Sequence, residues 1–242
     1  MLNESTWTGI DGIVFDAVGT LIDPHPPVAD VYTEAARRQG VELERAVVKA
    51  RFHQYFRNDE VDEMRGPLAT DETTEFRRWR RIVSNVLPEV PNPDRAFFEL
   101  WDHFGNPGAW RCFPDVAPAL RVLSARGIPI RIASNFDARL RAVVRGLGEL
   151  ACCASPLVVS SEVGFRKPHA AFYQAACASL RLPPERVLCV GDDLENDVVG
   201  ARRAGLRGLL LDRHGQRPEE SDSVPDLSAL VSQWRDSGGT SW

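Results

Sequence analysis

Four short stretches, far apart in the chain, carry side chains whose types could act together on a phosphate group. They are Asp16 in IVFDAVGTLI, Ser134 with Asn135, Lys167 in GFRKP, and Asp192 with Asp197 in GDDLEND. A carboxylate at the end of an apolar run is costly to bury unless something uses it. Brought together, the three acids would repel one another unless a cation joined them. Hard oxygen donors of this kind suit Mg²⁺, which takes one or two carboxylates along with water and substrate phosphate. A hydroxyl, backbone amides and a lysine nearby would hold an anion. Carboxylate, Mg²⁺, serine and lysine together describe phosphoryl transfer, with the carboxylate as nucleophile and an aspartyl-phosphate as intermediate.

For these side chains to meet, the stretches must lie at one edge of a sheet. Ile10 to Phe15, apolar and rich in branched residues, reads as a short buried strand running into Asp16, after which the chain turns at Val18, Gly19 and Thr20. Ile128 to Ala133 runs into Ser134, and Val187 to Val190 runs into Gly191 and Asp192. Leu157 to Ser160 and Gly208 to Leu211 read as further strands. Helices are expected over Val116 to Ala125, Arg139 to Leu147, His169 to Leu180, Asp197 to Ala204 and Leu227 to Trp234. Alternation of strand and helix requires crossovers, hence a mostly parallel sheet. In such sheets ligands gather beyond the carboxyl ends of the strands. The expected fold class is α/β, a Rossmann-like three-layer core.

Pro24 to about Trp110 interrupts that alternation and reads as helical throughout, with no strong strand. Val28, Tyr32, Ala35 and Ala36 have helical spacing, Val47 to Phe56 continues it, Phe76 to Leu87 gives a third helix, and Phe97 to Phe104 a fourth, entered at Pro93. Asn58 to Thr70 is polar and reads as a loop. The expected division is a core of residues 1–22 and 111–242 and an inserted all-helical cap of residues 23–110.

The chain has 242 residues, 43% of them hydrophobic, enough for a sizeable core. A net charge of −5 gives no general attraction to nucleic acid or an anionic membrane. No apolar run reaches membrane-spanning length, and the opening MLNESTWTGIDG lacks the basic and apolar regions of a signal peptide. Five cysteines form no CxxC pair, which disfavours zinc and redox roles. Reduced thiols in the cytoplasm fit best. The expectation is a cytoplasmic protein with a small phosphorylated substrate and neither nucleic acid nor membrane as partner; oligomeric state leaves no signal.

Taken in order, the four stretches resemble the four motifs of the haloacid dehalogenase-like hydrolase superfamily. DAVGT matches that family's DxDGT at all but one position, Ser134 with Asn135 the second motif, Lys167 before Pro168 the third, and GDDLEND the fourth. The resemblance spans nearly the whole chain, helical cap included. It implies Asp16 as nucleophile and Mg²⁺ ligand, the Val18 carbonyl and Asp192 as further ligands, and Asp197 acting through waters. It also implies that Ser134 and the Asn135 amide bind phosphate, helped by Gly19 and Thr20, while Lys167 neutralises phosphate and nucleophile. Lys167 is one of two lysines among basic residues that are otherwise arginine, which agrees with a need for a compact ammonium rather than a planar fork.

The mismatch is Val18, where family phosphatases carry an acid that protonates the leaving group and then activates water. Valine does neither, and such help is typically worth ~10² to 10⁴ in rate. A weakened phosphatase is expected, better on aryl or acyl phosphates, unless Asp137, His25 or a cap group fills the role. The alternatives are a catalytically inactive homologue that binds a phosphorylated ligand or partner, and a metal-independent 2-haloacid dehalogenase, against which the acidic GDDLEND speaks. Elsewhere the bland readings hold. The five histidines lack ligand spacing, the arginines at 77, 78, 80 and 81 read as a solvated helix face with a substrate-facing role for one of them as the alternative, and Phe52, Tyr55, Phe56, Phe97, Phe98 and Trp101 read as cap core.

Overall fold

Strand β1 (Gly12–Phe15) is buried along its whole length and its side chains alternate between two apolar layers. Ile13 and Phe15 face one layer and Val14 the other. The computed structural model describes residues 9–64, 66–217, 219 and 222–236. The core strands after β1 are β4 (Ile130–Ser134), β5 (Val158–Val159), β6 (Val187–Gly191), β7 (Arg207–Leu211) and β8 (Ser223–Val224). They form a six-stranded sheet in the order β5-β4-β1-β6-β7-β8, parallel at every pairing. Strands β2 and β3 (Ile22–Pro24, Trp110–Cys112) pair separately and antiparallel. Buried on both faces, the core strands are apolar runs of the kind parallel sheets require.

Helices cover both faces. α5 (Val116–Ala125), α6 (Leu140–Gly146) and α10 (Leu227–Asp236) pack with Ile13, Phe15, Ile132 and Val190. On the other face α8 (Ala170–Leu180) and the short α9 (Gly200–Arg203) pack on Val14, Val187 and Cys189, and the four-residue α7 (Ser160–Val163) joins β5 to α8. Each fully buried Leu, Val or Phe in these layers contributes ~1.5–3 kcal/mol. The register sets Phe15 opposite Ile132 on one side and Val190 on the other, so Asp16 and Gly191 emerge at one level and Ser134 one residue beyond it. β1 lies between strands that the chain reaches in opposite directions, the crevice where doubly wound folds bind ligands.

Between β2 and β3 run four helices: α1 (Val28–Arg37), α2 (Arg45–Met64), α3 (Glu72–Val86) and α4 (Pro93–Gly105). They share an apolar cluster of their own around Tyr32, Val48, Ile82, Leu87, Phe97 and Leu100. Asp71 caps α3 by accepting from the Thr74 amide at 2.6 Å, and Asn92 caps α4 through the Arg95 amide at 2.9 Å. Four expectations are corrected. The sheet gains the edge strand β8 beyond Gly208 to Leu211, the last strand expected. The chain leaves and returns to the core through the β2–β3 ribbon, where no strand was expected. Residues 58–64, read as loop, continue α2, because Asp59 turns inward to pair with Arg78 and Arg81. Residues 194–199, whose later part was read as α-helix, form a π-helical turn before α9.

That wide turn fits the sheet only because β7 carries Gly208. A Cβ there would lie 2.6 Å from Val198 Cα and 2.7 Å from its carbonyl oxygen, both backbone. Among the described residues no helix is long and apolar enough to cross a membrane. Gly208→Ala should destabilise the fold by about 1–3 kcal/mol, read as a lower urea midpoint with an unchanged m-value; an unaltered midpoint would contradict the close packing.

Candidate active site

Lys167 lies in the loop between α7 and α8, and its ammonium reaches into the crevice above β1. Nζ donates to Asp16 Oδ1 at 2.6 Å and to Asp197 Oδ1 at 2.7 Å, with all three residues buried. Burial alone would lower the ammonium's pKa; the two carboxylates outweigh it and raise that pKa well above the ordinary value. Asn135 fixes the loop from the end of β4: its Oδ1 accepts from the Lys167 amide at 2.8 Å and its Nδ2 donates to the Lys167 carbonyl at 3.2 Å.

The acids come from β1 and its neighbour β6. Asp16 follows β1 directly, and its amide donates to Val190 O at 2.9 Å. Asp192 follows β6, and the π-helical turn carries Asp197, whose Oδ2 accepts from the Asp193 amide at 3.1 Å. Asp16, Asp192 and Asp197 each offer an oxygen within 4.8 Å of the others. Burial pushes Asp197 up to about 7 against the pull of Lys167. Desolvation and then the charges of Asp16 and Asp197 push Asp192 up to about 8. Because Asp192 is exposed, the neighbouring charges are the firmer cause. Three carboxylates against one ammonium leave an excess of negative charge that a hard divalent cation would balance. The oxygen donor set fits Mg²⁺.

The other anticipated residues divide. Ser134, Asn135, Val18 and Gly19 line the same cavity of about 410 Å³ as the three acids and Lys167. Gly19, at φ +82°, sits where a Cβ would fall 2.3 Å from an Asp192 carboxylate oxygen. Its amide already donates to Ile22 O at 2.9 Å. Thr20 is fully buried, and its hydroxyl donates to Asp192 Oδ1 and accepts from the Asp192 amide, both at 3.1 Å, which positions that acid. Arg213 braces the turn below, donating to Thr20 O at 2.7 Å while ion-paired with Asp115. As for substitutes for the missing acid, Asp137 is wholly buried and doubly bonded to Arg139, and His25 is exposed and off the cavity wall. Asp23 and Glu60 do line it.

Three arginines also stand on this wall, and of these only Arg78 belongs to the run with a substrate-facing alternative. Arg78, read as part of a solvated face, is buried and paired with Asp59 and Glu75. Arg166, next to Lys167, also pairs with Glu75, at 3.2 Å. Arg139 lies 3.3 Å over the Trp101 ring. The arginine run held the one available signal: Arg78 falls at helical spacing with Glu75 and Ile82, both buried.

With this geometry in view, relatives can be compared. A family profile of haloacid dehalogenase-like hydrolases matches residues 10–205. The chain belongs to that family and is a hydrolase of its kind. It is 26% identical over 220 residues to the zebrafish (Danio rerio) haloacid dehalogenase-like hydrolase domain-containing protein 3, covering 88% of this chain and 90% of that one. It is 28% identical over 234 residues to a phosphoserine phosphatase of Thermus thermophilus, covering 89% and 93%. Among solved structures, the L-2-haloacid dehalogenase RSc1362 superposes with a TM-score of 0.75 at 20% identity, over 94% of this chain and all of that one. At such identity the superposition speaks to fold alone.

The crowded acids predict a pH signature. A carboxyl whose pKa rises on folding, here Asp192 from 3.8 to about 8, holds a proton in the folded chain that the unfolded chain has released. In Mg²⁺-free buffer stability is therefore lost as pH rises across that window. Asp192→Asn should match wild type in melting temperature near pH 4 and exceed it at pH 8; equal melting temperatures at both pH values would contradict the charge crowding.

Proposed function

We propose that the protein is a Mg²⁺-dependent phosphatase-like hydrolase acting on small phosphorylated compounds through an aspartyl-phosphate at Asp16. The observation carrying this reading is Lys167 Nζ held between Asp16 at 2.6 Å and Asp197 at 2.7 Å in a cavity that also admits Asp192 and Ser134. Asp16 attacks phosphorus, the phosphorus–oxygen bond to the leaving group breaks, and water then cleaves the acyl phosphate to release inorganic phosphate and restore Asp16. Lys167 orients Asp16 and offsets the phosphate charge; the Ser134 hydroxyl and the Asn135 amide hold the phosphoryl oxygens. Asp16, Asp192 and the Val18 carbonyl would hold Mg²⁺, with Asp197 through water, and the ion would supply charge neutralisation between phosphate and carboxylates.

Residues 23–110 serve as a cap closing over a core of 1–22 and 111–242, and closure excludes water from the reaction. Five free cysteines support a reducing compartment such as the cytoplasm. The phosphoserine phosphatase relative supports the phosphatase reading over the dehalogenase one. Val18, which lines the cavity without a titratable group, and the Asp16 nucleophile are features a dehalogenase would share. The gathered acids favour a metal-assisted reaction.

Phosphate release from 4-nitrophenyl phosphate should require Mg²⁺ and fall to background in Asp16→Asn. Val18→Asp should raise turnover of an alkyl ester such as phosphoserine by about 10²-fold. Turnover indifferent to Mg²⁺, or retained in Asp16→Asn, would sink the reading.

A further inference from the structure

Helices α1 to α4 build the far wall of the cavity, and it is aromatic. Phe52, Phe56, Trp79, Phe97, Trp101 and Phe104 all face it. Phe52 and Phe56 are stacked with ring centroids 5.7 Å apart, and Phe97 and Trp101 lie 5.5 Å apart. The charged groups these helices add to the wall are Glu60 and Arg78, and Arg78 is already paired with Asp59 and Glu75. Arg139 and Arg166, from the core, are likewise engaged, with Asp137 and Glu75. Such a wall offers little to a sugar's hydroxyls and much to a flat apolar ring, by area and by edge-to-face contact.

Val18 points the same way independently. With no proton donor two residues after Asp16, a leaving oxygen that is stable as an anion is favoured. A phenol-like oxygen, with a pKa of about 10, does so readily. An alkoxide, whose acid is about as weak as water at about 15.7, does not. We infer that the protein's substrates are aryl phosphate monoesters, seated with phosphate at Asp16 and Lys167 and the aryl group against the aromatic cap wall. This rests on the phosphatase reading above. The Asp16 oxygen–phosphorus bond forms as the phosphorus–aryl oxygen bond breaks, the electron pair leaves on the aryl oxide, and that oxide takes its proton from solvent.

The test compares 2-naphthyl phosphate, phosphoserine and glucose 6-phosphate as substrates of the whole Mg²⁺-loaded chain. The naphthyl ester should exceed both polar esters in kcat/KM by at least about 10²-fold. Phe56→Ala should raise its KM about tenfold, as loss of one aromatic contact implies, leaving inhibition by inorganic phosphate unchanged. In Val18→Asp the kcat gap should narrow while the KM preference for the naphthyl ester persists. Independently of any cap substitution, 4-nitrophenyl phosphate should quench the tryptophan fluorescence of Asp16→Asn, and glucose 6-phosphate should not. Turnover of phosphoserine or glucose 6-phosphate as fast as the naphthyl ester, or equal quenching by both probes, would overturn the inference and leave the phosphatase reading standing. No turnover of any ester would overturn both.

Discussion

An ammonium wedged between two carboxylates is the interaction on which the site depends. Lys167, Asp16 and Asp197 come from three separate parts of the chain and are buried together. Removing those charges from water costs several kcal/mol per ion, recovered only if the geometry is good and the remaining atoms are bonded. The fold meets that demand from every side. The Asp16 amide is held by β6, the Asp197 carboxylate by the Asp193 amide, and the Lys167 backbone by both ends of the Asn135 side chain.

The same constraint ties the helical insert to the chemistry. Arg166, the residue before Lys167, is ion-paired with Glu75 of α3, and Thr70 also donates to Glu75, at 2.7 Å. The Thr70 amide donates to Gly164 O at 3.0 Å and the Arg166 amide to Leu68 O at 2.9 Å, a backbone pairing between insert and lysine loop. Glu72 accepts from the Ala138 amide at 2.9 Å and from the Ser161 hydroxyl. These bonds tie α3 and the segment before it directly to the segment carrying Lys167.

Much of this was legible because the informative residues break local rules. Asp16 ends an apolar strand where no core residue would be charged, and Lys167 stands out in a chain that otherwise uses arginine. The strand–helix alternation carried the parallel sheet apart from the edge strand β8, and the ends of the anticipated strands differed by only a residue or two. What stayed hidden depends on long-range partners. Asp59 and Arg78 look like surface residues until each is seen to neutralise the other, and that pairing also keeps α2 helical through a stretch whose polarity suggests a loop. Thr20 lies in the expected turn, yet its hydroxyl is spent on Asp192 172 residues away. The π-helical turn needs Gly208, on a strand that follows it, and no local pattern in GDDLEND reveals it.

The central claim is that the excess negative charge of Asp16, Asp192 and Asp197 is balanced by a divalent cation with Lys167 completing the set. Diffraction from crystals of the chain grown with Mn²⁺ in place of Mg²⁺, collected for anomalous signal, addresses it directly. The account predicts one strong peak among those three carboxylates, with Lys167 still bonded to Asp16. No peak there, or a peak at another group of acids alone, would contradict it.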